Sequence, residues 1–357
     1  MPKTKESGTL LITADTHDGK PKLPEQAKKS FDQIIDLCKE VEPVALLHSG
    51  DWFEARGRVP MLSYNRVIKT LQRFFTGVND CPICTVVGNH DLALAEGGLE
   101  ESALYGLSEL FPSLAVGGLE PVSTRIRGRE GKTAAQVHLF GYSQSTEKLY
   151  QRIYDYINNT PFDSSVIQIA MLHQVTLASE TPSSFILDKG LDVERISSSF
   201  DFVIIGDNHK PQLLLDNVLI PGCPYASDFA DGEESRGVWQ LEFVGKELTY
   251  LELVPLDGPK FITMNVDEPS DLPPKFYPDN FYRLYIPDTQ IGKVRGILGN
   301  RYPNVKPIPV VSTKESRIKA VEGSKDVIKQ YIQYANPDGL DRKKLEKLGR
   351  ELLGGAG

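Results

Sequence analysis

Five short apolar runs, each ending in Asp, Asn or His, constrain this chain more than any other feature. Residues 44–48, Val-Ala-Leu-Leu-His, stop at Ser49-Gly50 and deliver Asp51. Residues 10–14 deliver Asp15 and His17, and residues 83–87 deliver Asn89, His90 and Asp91. Residues 166–172 deliver His173, and residues 202–205 deliver Asp207 and His209. Continuous apolar runs of this length read as strands buried on both faces. In open α/β sheets, ligands bind just past the carboxyl ends of such strands. Carboxylate, amide and imidazole gathered at five strand ends predict one metal-binding locus. A single carboxylate can bridge two ions with its two oxygens, and Asp51 is the expected bridge.

Between these runs the pattern has helical spacing. A helix is expected at about 24–40, with Ala27, Phe31, Ile34, Ile35 and Leu37 on one face. Another is expected at about 60–76, opening on Pro60, with apolar residues on more than one stripe. Further helices are expected at about 99–110 and 146–157. Residues 114–141 read as two or three strands around a charged turn, and residues 237–254 as a hairpin. The loop 174–184 is long and polar, as functional or mobile loops are. The stretch 254–260, Val-Pro-Leu-Asp-Gly-Pro-Lys, is the expected linker. Beyond it, strands at about 261–266, 281–286 and 307–312 alternate with helices at about 289–299 and 324–334. A last amphipathic helix reaches about 353; it reads either as a docking element for another protein or as a solvated tail. The expected domains are 1–255, 256–335 and a terminal segment 336–357. At 357 residues, one large domain and a smaller one are anticipated.

The net charge of −8 argues against a protein that coats nucleic acid by bulk charge, though not against a local basic surface. Arg56-Gly57-Arg58 is such a local feature, and reads equally as a solvated turn or a phosphate contact. The four cysteines do not make a disulfide framework, and Cys81-Pro-Ile-Cys84 lacks the second pair a zinc site needs, so buried reduced thiols are expected. No apolar run reaches membrane-spanning length and the polar N-terminus lacks a secretory core, so a cytoplasmic location is expected. His138 alternates with apolar neighbours and reads as structural.

The blocks Asp15-x-His17, Gly50-Asp51, Gly88-Asn89-His90-Asp91, His173 and Gly206-Asp207-Asn208-His209 resemble the ordered motifs of the calcineurin-like metallophosphoesterases, over roughly residues 9–255. The resemblance implies a four-layer α/β/β/α sandwich with, here, a smaller C-terminal α/β capping domain. It implies that Asp15, His17, Asp51 and His209 hold one divalent ion, and that Asp51, Asn89, His173 and Asp207 hold a second. It makes His90 the general acid, with Asp91 orienting it. Two features depart from the family pattern. Asp207 stands where His is usual, which adds a negative charge and favours manganese or magnesium over zinc. Glu54 stands where the nuclease branch often places His or Asp.

Gly50-Asp-Trp-Phe-Glu54, residues 207–212 (Asp-Asn-His-Lys-Pro-Gln) and residues 220–225 (Ile-Pro-Gly-Cys-Pro-Tyr) are similar to the SbcD-type DNA-repair nucleases. That similarity implies a manganese-dependent exonuclease and single-strand endonuclease working on duplex and single-stranded DNA. Arg56, Arg58 and Lys210 become the expected DNA contacts. It further implies a homodimer through the helices near 60–76 and 99–110, and an SbcC-type ATPase partner docked on the C-terminal region. Two other readings share the motifs: a phosphodiesterase or phosphatase for a small or protein substrate, and a DNA-end-binding scaffold with weak activity.

Overall fold

The computed structural model describes residues 6–54, 56–94, 97–231 and 235–310. The chain begins β1 (Ser7–Thr13), α1 (Gln26–Val41), β2 (Ala45–His48), α2 (Met61–Gly77), β3 (Ile83–Val86), α3 (Tyr105–Leu110), β4 (Leu114–Gly117). Strands β1 to β4 pair in parallel, in sequence order. The chain then crosses to a second sheet. Its strands are β5 (Val122–Arg127), β6 (Thr133–Phe140), β7 (Ile167–His173), β8 (Phe202–Gly206), β9 (Gln212–Leu215) and β10 (Val218–Ile220), in the order β5-β6-β7-β8-β10-β9. Helix α4 (Thr146–Asn159) precedes β7, and the short α5 (Glu194–Ser197) precedes β8. A hairpin, β11 (Gly237–Val244) and β12 (Glu247–Pro255), returns to the first sheet and pairs antiparallel with β1.

Side-chain alternation along the strands explains the layering. Leu10 and Ile12 of β1 turn toward the second sheet, where they meet Val137, Leu139, Ile169, Met171 and Ile204. Leu11, between them, turns the other way and packs with Phe31, Ile34 and Ile35 of α1 and Val67, Leu71 and Phe74 of α2. The second sheet repeats the device. Phe140, Leu172 and Ile205 face away from the first sheet and pack on Leu149 and Ile153 of α4 and Ile196 of α5. The result is helix, sheet, sheet, helix: a mixed α/β sandwich in which the inner strands, β2, β3, β7 and β8 among them, are buried on both faces.

The stretch expected as one helix at 99–110 is broken. Leu99–Glu101 forms a single 3₁₀ turn, and α3 covers only Tyr105–Leu110. Ser102 is the cause. It bridges to Leu92, and its hydroxyl accepts a hydrogen bond from the Leu104 amide at 3.2 Å, just ahead of α3. The apolar spacing there serves loop packing, not one continuous helical face. The loop 174–184 is ordered by bridges between Thr176 and Leu191 and between Glu180 and Ile186.

His138 is a core residue. Gln168 spends its amide protons on the carbonyls of Asp163 and Val166, so its oxygen must accept. His138 therefore donates from Nε2 to Gln168 Oε1 at 2.9 Å, while its Nδ1 lies 2.9 Å from the Tyr156 hydroxyl. Burial lowers its pKa and keeps it neutral, so Tyr156 donates to Nδ1. All four cysteines are free and buried. Among the described residues no helix is long and apolar enough to cross a membrane.

The chain divides into two compact units, one running to Thr263 and taking in Tyr277–Tyr282, the other holding Met264–Phe276 and the residues from Arg283 on. A three-stranded sheet follows the hairpin, β13 (Phe261–Asn265), β14 (Phe281–Pro287) and β15 (Val305–Val310), in the order β13-β14-β15. In the second unit Leu284 and Ile286 of β14 are buried, as are Val294 and Leu298 of α6 (Ile291–Leu298). The helices expected at 324–334 and up to 353 lie outside the described residues, as does the segment 336–357.

Candidate metal centre

The polar residues singled out by the sequence leave the carboxyl ends of β1, β2, β3, β7 and β8. The segments after β1 and β2 lie side by side like two short strands. The Asp15 amide donates to the Gly50 carbonyl at 3.0 Å and His17 to Asp51 at 3.0 Å. Asp18 donates to Trp52 at 2.7 Å, and Glu54 donates back to Asp18 at 3.1 Å. This ladder fixes the register of Asp15 and His17 against Asp51.

Four residues of the group hold a left-handed backbone: Asp15 (φ 52°), His17 (φ 45°), Asp51 (φ 56°) and Asp207 (φ 99°). Such conformations are uncommon outside glycine and are maintained only where the surroundings over-determine them. Two glycines make the approach possible. A Cβ at Gly88 would lie 2.1 Å from Asp51 Oδ1 and 2.4 Å from the Asp51 amide nitrogen. A Cβ at Gly206 would lie 2.1 Å from the Ser49 carbonyl oxygen and 2.7 Å from His173 Nδ1.

The side chains converge around Asp51. His173 Nε2 lies 3.3 Å from Asp51 Oδ2 and 3.8 Å from Asp207 Oδ1. On the other side, His17 Nε2 lies 3.7 Å from Asp51 Oδ2, 4.0 Å from Asp15 Oδ1 and 3.0 Å from His209 Nε2. Asn89 donates from Nδ2 to Asp207 Oδ1 at 3.2 Å. The ligand atoms of Asp15, His17 and His209 all lie within 4.8 Å of one another, and so do those of Asp15, Asp51 and His173. Asp15, His17, Asp51 and His173 are buried, whereas Asn89, His90, Asp207 and His209 are only partly so. The site therefore opens to solvent on the side of the latter four.

Two divalent ions fit this donor set. His173 Nε2 and Asn89 Oδ1 are buried and make no hydrogen bond. The His173 Nδ1 proton goes to the Ser49 carbonyl at 2.7 Å, so Nε2 is the nitrogen that faces Asp51 and Asp207 and would take a metal on giving up its own proton. Three carboxylates, those of Asp15, Asp51 and Asp207, also crowd together. Burial, aided by the charges of Asp51 and Asp207 and opposed by His173 and His17, pushes Asp15 up to about 8. Burial disfavours the charged ring of His173, but Asp51, Asp15 and Asp207 outweigh it and raise its pKa well above the ordinary value. Without a cation the site must hold protons; with one it must release them. A carboxyl with a pKa of about 8 keeps its proton at pH 7, and His173 is raised as well, so metal affinity is expected to rise with pH from the neutral range upward. Calorimetric titration of manganese in two buffers of different ionisation enthalpy checks this, and a buffer-independent heat at pH 7 contradicts it.

Asp91 does different work from what the sequence suggests. Asp91, expected to orient His90, is taken up by the backbone. Oδ2 accepts from the amides of Asp51 (2.9 Å) and Gly88 (3.0 Å), and Oδ1 from those of Trp52 (2.9 Å) and Phe53 (3.2 Å). It clasps the loops after β2 and β3 together. The His90 ring is held instead by the Glu54 carbonyl, 2.6 Å from Nδ1. Asp91→Asn replaces one doubly accepting oxygen with a donor and strands two buried amides. At about 1–3 kcal/mol each, the variant is expected to lose ~3 kcal/mol of stability, read by denaturant unfolding. An unchanged midpoint would remove the clasp.

Arg56 and Arg58 are exposed. Arg56 is near enough to oppose the rise of the Asp207 pKa that burial and the Asp51 charge produce. Lys210, expected on DNA phosphate, is instead ion-paired to Glu180 at 2.8 Å. Glu54 is the residue that motif reading noted only as a departure. Its carboxylate Oε2 lies 3.2 Å from His17 Nδ1.

Residues 8–211 match the family described as calcineurin-like phosphoesterase. Among solved structures the chain is similar to a dimetal phosphatase from Danio rerio, at 10% sequence identity over 69% of this chain and 98% of that one, with a TM-score of 0.37. No curated protein matches it.

Proposed function

Because the chain belongs to the calcineurin-like phosphoesterase family, we propose that its metal-dependent phosphoester hydrolysis acts on DNA, as the nuclease subunit of an SbcC/SbcD-like end-processing complex. The observation that carries the chemistry is the pair of ligand clusters on either side of Asp51, with His17 and His209 on one side and His173 on the other. The choice of DNA is supported by the blocks 50–54, 207–212 and 220–225, by the exposed Arg56 and Arg58, and by the added small α/β unit.

In this reading Asp15, His17, Asp51 and His209 hold one ion, and Asp51, Asn89, His173 and Asp207 hold the other. The oxygen-rich set suits manganese, with magnesium second. Bound there, the ions supply Lewis acidity at the phosphorus and lower the pKa of water. The remaining work belongs to the protein. The Glu54 carbonyl fixes His90 through Nδ1, which leaves Nε2 to carry a proton to the leaving oxygen. Asp91 holds the loops bearing Asp51 and Asn89 at fixed separation. Arg56 and Arg58 take the phosphates flanking the scissile bond, and Lys210 joins them by exchanging Glu180 for phosphate.

Residues 1–255 form the nuclease domain in this account, 256–335 a capping and DNA-contact domain, and 336–357 the segment that docks an ABC-type ATPase. A second copy of the chain pairs through α2 and α3, where Met61, Leu62, Tyr105 and Leu110 are exposed. The test is degradation of end-labelled linear duplex DNA with manganese, beside a chromogenic phosphodiester and the His90→Ala variant. DNA degradation lost in the variant supports the nuclease. Hydrolysis of the small ester with DNA untouched, with and without the ATPase, assigns a phosphodiesterase.

A further inference from the structure

Glu54 touches both halves of the machinery. Its backbone amide is tied to the Asp18 carbonyl at 3.1 Å, the last rung of the ladder between the two ligand loops. That register sets its carboxylate 3.2 Å from Nδ1 of His17 and its own carbonyl 2.6 Å from Nδ1 of His90. The two rings stand edge to face, with centroids 4.9 Å apart. His17 Nδ1 is buried, and the Glu54 carboxylate lies at hydrogen-bond distance from it, 3.2 Å away. Its Nε2 faces Asp51, Asp15 and His209 on the opposite side of the ring.

We infer that Glu54 is a positioning residue, whose carboxylate takes the Nδ1 proton of His17 as a hydrogen bond and thereby holds Nε2 bare toward the metal. A carboxylate behind a ligating imidazole fixes the tautomer and raises the basicity of the ligand. The same residue, through its main chain, holds the proton-carrying ring of His90. One residue thus sets the face that a metal ligand and a proton donor each present to substrate. His17, Glu54 and His90 also lie close enough for their ligand atoms to form a third cluster. A third ion there would require His17 to bind metal through both ring nitrogens at once, with Nε2 already committed. The carboxylate is 29% exposed, so it can be changed without opening the core.

This inference rests on the two-metal reading, and the experiment separates the two. Manganese binding to the full chain is followed by the electron paramagnetic resonance signal of the free ion, for the natural sequence, Glu54→Ala and Glu54→Gln. The natural chain is expected to take up two ions. Glu54→Ala is expected to hold one of them about 10–100-fold more weakly and the other unchanged, the range known for carboxylates behind a metal-bound histidine. Glu54→Gln keeps an acceptor for the Nδ1 proton without the charge and is expected to fall between. The metal concentration giving half-maximal turnover should rise by the same factor. Unaltered affinity in Glu54→Ala overturns the inference. So does an ion that no manganese concentration restores, which would make Glu54 a ligand. Fewer than two ions in the natural chain overturns the two-metal reading itself, and this inference with it.

Discussion

Asp51→Asn is expected to abolish binding of both ions and to reduce hydrolysis by about three orders of magnitude or more, since the ions contribute several kcal/mol to the transition state. Asp51 stands between the two ligand clusters, with Oδ2 3.7 Å from His17 and 3.3 Å from His173. Asn keeps an oxygen for the His90 amide, which Asp51 Oδ1 accepts at 2.9 Å, so the loop should remain folded. What it removes is the charge. His173 and His17 hold the Asp51 carboxyl well below the usual range against the opposing effect of burial, and no neighbouring group replaces it as a shared anion. Elemental analysis of the purified variant gives the answer directly. Two ions per chain, retained after dialysis, would end the bridging role.

His90→Ala is expected to leave metal content at the level of the natural chain and to lower turnover on a phosphodiester with a poor leaving group by about 10²–10⁴-fold. The ring is not in either cluster around Asp51 and is anchored by main chain, the Glu54 carbonyl at 2.6 Å. A proton donor matters in proportion to the basicity of the oxygen it serves. With a nitrophenolate, which departs without protonation, the loss should shrink by an order of magnitude or more. An equal loss on both substrates would show that His90 acts by holding the site together, not by giving a proton.

Much of this was readable in the chain, for physical reasons that can be named. The strands were legible because they are buried on both faces, so their apolar runs are unbroken, and the Asp, Asn and His just past their ends stand out against them. The layering was less so. Nothing in the runs 10–14 and 166–172 says that they belong to different sheets; only the packing of Ile12 on Met171 does. The left-handed turns of Asp15, His17 and Asp51 are also invisible locally, because the ladder between two distant loops imposes them. Asp91 was misread for a related reason. A carboxylate beside a histidine in sequence suggests a pair, but the chain turns so that four amides from two segments reach Asp91 first. Glu54 shows the converse case, a residue that differs from the familiar motif and yet sits against two of its histidines.

The clasp made by Asp91 also governs how the protein meets its surroundings. In small zinc domains the ion is the keystone, and its withdrawal unfolds the chain. Here the loops that bear Asp51, Gly88 and Asn89 are pinned by the chain's own hydrogen bonds, so the socket stands before the ion arrives. Chelation should silence the protein without dismantling it, and resupply should revive the same molecules with no new synthesis. Activity then follows the divalent-ion supply of the moment, as a reversible throttle, while the abundance of the folded chain does not.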